Sequence, residues 1–206
     1  MIKKHIIFDL DGTLSNTAKA TMMAINEAEE QLKLPKITED QVKGAMGLAG
    51  LEFYAQLFPQ VSKKTLLDIE NIVDAGEELA VKAIGKEILF PGVVDMLKGL
   101  QEKDCFMYIA STGSKDHVHN ILKSCGMEIF FTEVACGESK KISMVNRIIA
   151  GRNLNEWAMV GDMFKDSEAA KGNNILALGA AYGYLSRKDF SLFDFILSTP
   201  MDIFSY

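Results

Sequence analysis

Residues 5–13 read HIIFDLDGT, and how this stretch is taken decides how the rest of the chain is parsed. Ile6, Ile7 and Phe8 make a short apolar run that stops at Asp9, and Asp11-Gly12 is a turn signal. A buried strand is therefore expected over residues 5–9. Beyond it, from about residue 15 to 86, the pattern is helical with no strand. Residues 17–34 set Ala18, Met22, Ile25, Ala28, Glu29 and Leu32 at three-to-four spacing, with Pro35 as the stop. Thr38 and Gln41 form a capping-box pattern that opens a second helix, which runs into a glycine break at residues 44–50. A third covers residues 51–58 and stops at Pro59. A fourth covers residues 62–84, capped by Ser62, with Leu66, Ile69, Val73, Gly76, Leu79 and Val81 along one side.

After Phe90-Pro91-Gly92 the chain alternates strand with helix. Strands are expected at residues 105–110, 133–136, 157–161, 175–178 and 195–197, and helices at 115–124, 142–150 and 167–172. This pattern predicts an α/β fold with a Rossmann-like parallel sheet, built from residues 1–14 and 87–206. Residues 15–86 are a helical insertion after the first strand.

Lys and Arg total 22 against 28 Asp and Glu, a net charge of −6. No basic run exceeds two residues, so a nucleic-acid partner is not expected. No apolar stretch approaches the roughly 18–20 residues of a membrane span, and the run after Lys3-Lys4 is too short for a secretory leader. The cysteines Cys105, Cys125 and Cys136 are odd in number and lack metal-type spacing. They read as packed, reduced thiols of a cytoplasmic protein.

Ligands of such sheets bind beyond the carboxyl ends of the strands. Asp9-Leu10-Asp11-Gly12-Thr13 follows the first strand, Ser111-Thr112-Gly113 the second, Glu138, Lys140 and Lys141 the third, and Gly161-Asp162 with Asp166 the fourth. Asp9, Asp11 and Asp162 brought to one edge would repel one another unless a cation compensates. Mg²⁺ suits a few hard oxygens and accepts a substrate phosphate oxygen as a further ligand. A carboxylate beside it can attack phosphorus, while a lysine and a hydroxyl neutralise the transferring group. Gly12 allows a tight turn with close backbone approach to phosphate; Gly12, Thr13, Thr112 and Gly113 are the expected substrate-binding positions. Ser111 ends its apolar run and is preferred to Thr112 as the catalytic hydroxyl. Lys141 is preferred because an apolar pattern continues from it through Ile142, Met144 and Val145, with Lys140 as the alternative.

Taken together, Asp9–Thr13, the strand ending in Ser111, Lys141 and the Gly161–Asp166 element resemble the four motifs of the haloacid dehalogenase-like hydrolase superfamily, over nearly the whole chain. The helical insertion is similar to the four-helix cap of its phosphoglycolate phosphatase-like branch. Met46-Gly47-Leu48, Phe90-Pro91-Gly92 and the segment from Gly179 through Gly183 to Tyr184 match in smaller ways. The resemblance implies Asp9 as nucleophile and Asp11 as general acid, then base. It implies Mg²⁺ on Asp9, the Asp11 backbone carbonyl and Asp162, with Asp166 behind them orienting a water or the lysine. Asn16 stands where the family usually has aspartate, and Lys141 lacks the proline that often follows it.

The function so implied is a Mg²⁺-dependent phosphomonoester hydrolase acting on a small metabolite, as a monomer or homodimer. A phosphosugar mutase similar to β-phosphoglucomutase carries the same D-x-D and is the alternative. Asp11 and Asp162 count against carbon–halogen hydrolysis. Cap residues would set specificity, with residues 44–50 and Tyr54 as candidates. His117 and His119, two apart on a predicted helix, cannot share a face, so a metal role is not expected of them. His5 reads as solvent-facing or structural, and Trp157 as core.

Overall fold

In the computed structural model, which describes residues 2–46, 48 and 50–206, the HIIFDLDGT stretch begins with strand β1, His5–Phe8. Five more strands follow: β2 (Phe106–Ser111), β3 (Phe131–Cys136), β4 (Trp157–Gly161), β5 (Leu176–Ala180) and β6 (Phe195–Leu197). They form one sheet in the order β3-β2-β1-β4-β5-β6, with every neighbouring pair parallel. The chain builds outward from β1 first on one side and then on the other. That reversal leaves a crevice at the carboxyl end of β1, where open α/β sheets hold their ligands. Register sets the level of the site: Phe8 lies opposite Ile109 on β2 and Val160 on β4, and the Asp9 N–H donates to the Val160 carbonyl at 2.9 Å.

By its contacts the chain divides into two compact units. One runs up to Asn16 and resumes over Leu89–Tyr206, and the other is Thr17–Ile88. Ser15 and Leu89 pair as an antiparallel bridge, so the chain leaves the sheet unit and re-enters it side by side.

The helical unit holds α1 (Ala18–Leu32), α2 (Glu39–Ala45), α3 (Leu51–Leu57) and α4 (Lys63–Ile84). Thr38 caps α2 in a reciprocal box with Gln41, and the Ser62 hydroxyl caps α4 by accepting from the Thr65 N–H. Helix α1 stops before Pro35. Lys33 takes the left-handed conformation and donates its N–H to Glu29 O, closing the last turn. Leu79, expected on the apolar side of α4, is 67% exposed. Tyr54, a candidate for specificity, is buried within the unit. It meets Phe53 edge-on at 5.1 Å, and burial pushes its phenol above the ordinary range, with Asp74, Glu77 and Glu70 adding to the rise. Of the smaller family-like match at Met46-Gly47-Leu48, Gly47 lies outside the described residues.

Glu29 sits on the apolar face of α1, as its spacing predicts, but as a working polar group. Its Oε1 accepts from the buried Ile37 N–H at 2.8 Å and its Oε2 pairs with Lys36 at 2.9 Å. This carboxylate ties the turn after α1 back onto the helix. Glu29→Ala leaves a buried N–H without its partner and is expected to destabilise the helical unit by about 1–3 kcal/mol. Urea unfolding would check this, and a change within ~0.5 kcal/mol would contradict it.

Four helices flank the sheet, which is covered on both sides: α5 (Val93–Glu102), α6 (Lys115–Cys125), α7 (Lys141–Ile149) and α8 (Phe164–Gly172). Helix α5 is an addition to the sequence reading. It buries Val93, Met96, Leu97 and Leu100, a stripe so short that it merges with the apolar strand after it. The core under the sheet gathers Ile7, Tyr108, Met144, Val145, Ile148, Trp157 and Met159, and His5 stacks on Trp157 at 4.4 Å. All three cysteines are free and buried. Among the described residues, no helix is long and apolar enough to cross a membrane.

Candidate active site

Asp9 leaves β1 into the crevice with its carboxylate almost wholly buried. Lys141 is the first residue of α7, where a positive charge opposes the helix dipole. Two acids outweigh that handicap: its Nζ lies 2.7 Å from Asp9 Oδ1 and 2.6 Å from Asp166 Oδ1. Burial alone would lower the lysine's pKa, but Asp166 and Asp9 together hold it above the usual range, so it stays charged. Lys140, one residue earlier, is exposed. Glu138 is also exposed and turns to Arg147 at 3.0 Å, away from the carboxylates.

Asp162 follows the end of β4. Its Oδ1 accepts from Thr13 Oγ1 at 2.7 Å, and its Oδ2 is buried without a hydrogen-bond partner. Asp166 stands in the first turn of α8. Its Oδ2 accepts from the N–H groups of Asp162 (3.0 Å) and Met163 (2.8 Å), while Oδ1 takes Lys141. Asp166 is thus spent on holding the β4–α8 turn and the lysine. One oxygen from each of Asp9, Asp162 and Asp166 falls within a 4.8 Å cluster.

Three carboxylates facing one ammonium leave a residual charge of −2 when all are ionised. The strain shows in the acids. Burial first, then Asp166, raises Asp9 to about 7. Burial, then Asp9 and Asp166, raises Asp162 well above the carboxylate range. Buried negative charge with an orphaned oxygen is a donor set for a hard divalent cation, so the residues present fit Mg²⁺.

The loop residues make contacts of their own within the protein. Thr13, expected on substrate, is fully buried. Its hydroxyl is committed to Asp162 and its N–H to Leu10 O at 3.3 Å. Gly12 has φ +80°, and a Cβ there would run into Asp162 Oδ2 and the Tyr184 ring. Its lack of a side chain makes room for Asp162 and the Tyr184 ring. Ser111 is buried at the tip of β2, and its Oγ accepts from the Gly113 N–H at 3.0 Å. Thr112 is exposed and Gly113 half-buried. Asn16, where the family usually has aspartate, accepts from the Tyr184 hydroxyl at 2.7 Å.

The Asp11 carboxylate is not one of the three in that cluster, though it adds to the rise at Asp9. Its Oδ1 lies 2.8 Å from His117 Nε2, on α6. His117 is not legible as a site residue in the sequence, because this partner is 106 residues away. His119 bonds the Lys115 carbonyl at 2.8 Å and is exposed.

A family model for haloacid dehalogenase-like hydrolases matches residues 6–180. The chain belongs to that family. It is an enzyme, a phosphatase of that family. Phosphoglycolate phosphatase of Synechococcus elongatus is 24% identical over 96% of this chain and 94% of its own. The enzyme of the same name from Vibrio parahaemolyticus is 28% identical over 88% and 85%. A Haemophilus somnus structure described as a predicted phosphoglycolate phosphatase superposes with a TM-score of 0.86 at 22% identity, covering 98% of this chain and 97% of that one.

Proposed function

We propose that the chain is a Mg²⁺-dependent phosphomonoester hydrolase of small metabolites that works through a phosphorylated Asp9. The observation that carries this reading is the buried Asp9 carboxylate held against Lys141 beside the unpartnered Asp162 Oδ2. Asp9 attacks phosphorus, the ester P–O bond breaks, and the leaving oxygen takes a proton from Asp11. Asp11 then takes a proton from the water that attacks the aspartyl-phosphate; the bond from phosphorus to Asp9 breaks, and orthophosphate leaves. Lys141 holds Asp9 in place and offsets charge on the phosphoryl oxygens, and Ser111 offers a hydroxyl to them. Asp9, Asp162 and the Asp11 backbone carbonyl would hold Mg²⁺, which supplies further neutralisation of that charge.

Release of orthophosphate from a panel of phosphate esters tests this, with phosphoglycolate first because the relatives act on it by name. Turnover of at least one alkyl phosphate with Mg²⁺, and none in excess chelator, is expected. No turnover of any ester, or full activity in chelator, would overturn the reading. An aspartyl-phosphate that cleared only on adding a sugar monophosphate would replace it with the mutase.

The cation competes with a proton on Asp9. Asp162, also raised, competes in the same way, so the apparent Mg²⁺ affinity should weaken as pH falls, by about tenfold or more per unit below about 7. Titration calorimetry at pH 5.5, 6.5 and 8 would read this, and a flat profile would contradict it.

A further inference from the structure

We propose that His117 is a positioning residue for Asp11, holding the acid/base carboxyl in its working orientation; this rests on the reading above. A carboxylate on a short loop, about a quarter exposed, has rotamers to lose before it can meet a leaving oxygen. It lies outside the Asp9–Asp162–Asp166 cluster that fixes the other acids. His117 Nε2, at 2.8 Å from Oδ1, supplies a fixed contact for it.

The ring itself is held by features of its own loop. Ser114 caps α6 by accepting from the His117 N–H at 3.2 Å, which sets the backbone from which the ring extends. The next residue, Val118, is fully buried and anchors that turn. The ring passes so close to Gly113 that a Cβ there would lie 3.0 Å from His117 Cδ2 and 3.2 Å from Ser111 Oγ. One loop after β2 therefore presents the Ser111 hydroxyl at its start and the partner of Asp11 at its end. Whatever places that loop places both.

The consequence is specific to one half of the chemistry. Misplacing a catalytic group by ~1 Å costs up to about 100-fold. A loose Asp11 harms the first step most where the leaving oxygen needs its proton, as an alkoxide does and a nitrophenolate does not. The ring also offers a nitrogen that donates or accepts, according to its tautomer, and a glutamine amide offers both kinds of group at similar reach.

The test compares His117→Ala and His117→Gln with wild type on phosphoglycolate, or on the fastest alkyl phosphate of the panel, and on p-nitrophenyl phosphate. kcat/KM is the readout because it reports the steps up to departure of the leaving group. His117→Ala is expected to lose ~10- to 100-fold on the alkyl ester and less than about threefold on the aryl ester. His117→Gln should recover to within about fivefold of wild type on the alkyl ester. Inhibition by orthophosphate and the melting curve should be unchanged in both. Equal losses on the two esters, weakened orthophosphate inhibition, a folded His117→Gln no better than His117→Ala, or an alkyl rate within twofold in His117→Ala would each overturn the proposal. Failure of the underlying reading looks different, because wild type itself would then turn over neither ester.

Discussion

Asp9→Asn is expected to abolish turnover, by ~10⁴-fold or more, and to leave a protein at least as stable as wild type. The two effects share one cause. The carboxylate that would attack phosphorus is buried beside Asp166, and burial with that repulsion, and a smaller one from Asp11, raises it to about 7. A folded-state value above the unfolded one means the native state binds the extra proton. Without metal, stability is therefore greatest at the acid end of this window and declines as pH rises from about 4 through about 7. An amide has no charge to bury, so the substitution removes that decline along with the nucleophile. Thermal melts in chelator at pH 5 and pH 8 would show wild type losing stability between them and the variant losing less. Orthophosphate release would show no activity at either pH. Retention of more than a few per cent of wild-type rate would take Asp9 out of the mechanism. An intact pH slope in the variant would take it out of the electrostatic account.

What the sequence makes legible is local, and what it hides is contact across the fold. The strand at His5–Phe8, the box at Thr38 and Gln41 and the Ser62 cap are visible because each is settled within a few residues. The carboxylates could be gathered at one edge because a parallel sheet sends the ends of its strands to the same side. Partners were another matter. Thr13 spends its hydroxyl on Asp162, 149 residues on, and nothing in D-G-T shows that a distant carboxylate would take it. Spacing placed Glu29 on the buried side of α1 but could not name the Ile37 N–H as its reason for being there. Helix α5 was missed because ten residues with a four-residue stripe give too little period to separate from the strand that follows. His117 was the largest omission. Its meaning lies in a residue on another strand's loop, and no helical spacing points to it.

Lys140 and Lys141 are indistinguishable by composition, and the structure makes their expected fates opposite. Lys141→Met should destabilise the sheet unit by about 3–5 kcal/mol, because it removes the ammonium from between two buried acids and leaves them facing each other. For a chain of this length that corresponds to a fall in Tm of roughly 10 °C. Lys140→Met alters an exposed side chain and should stay within ~0.5 kcal/mol. The loss at Lys141 has a signature that a mere packing defect lacks. Without the lysine, Asp9, Asp162 and Asp166 depend wholly on protons or a divalent cation for neutralisation. Acid pH and added Mg²⁺ should therefore each restore more stability to the variant than they add to wild type. Turnover should stay low even when Mg²⁺ restores the fold, since nothing then holds Asp9 from the α7 side or meets the charge of the phosphoryl group there. Melting curves over pH 5–8, with and without Mg²⁺, read the first part, and orthophosphate release reads the second. A Lys141→Met protein as stable as Lys140→Met would show that the acids neutralise one another by sharing protons, with the lysine a bystander.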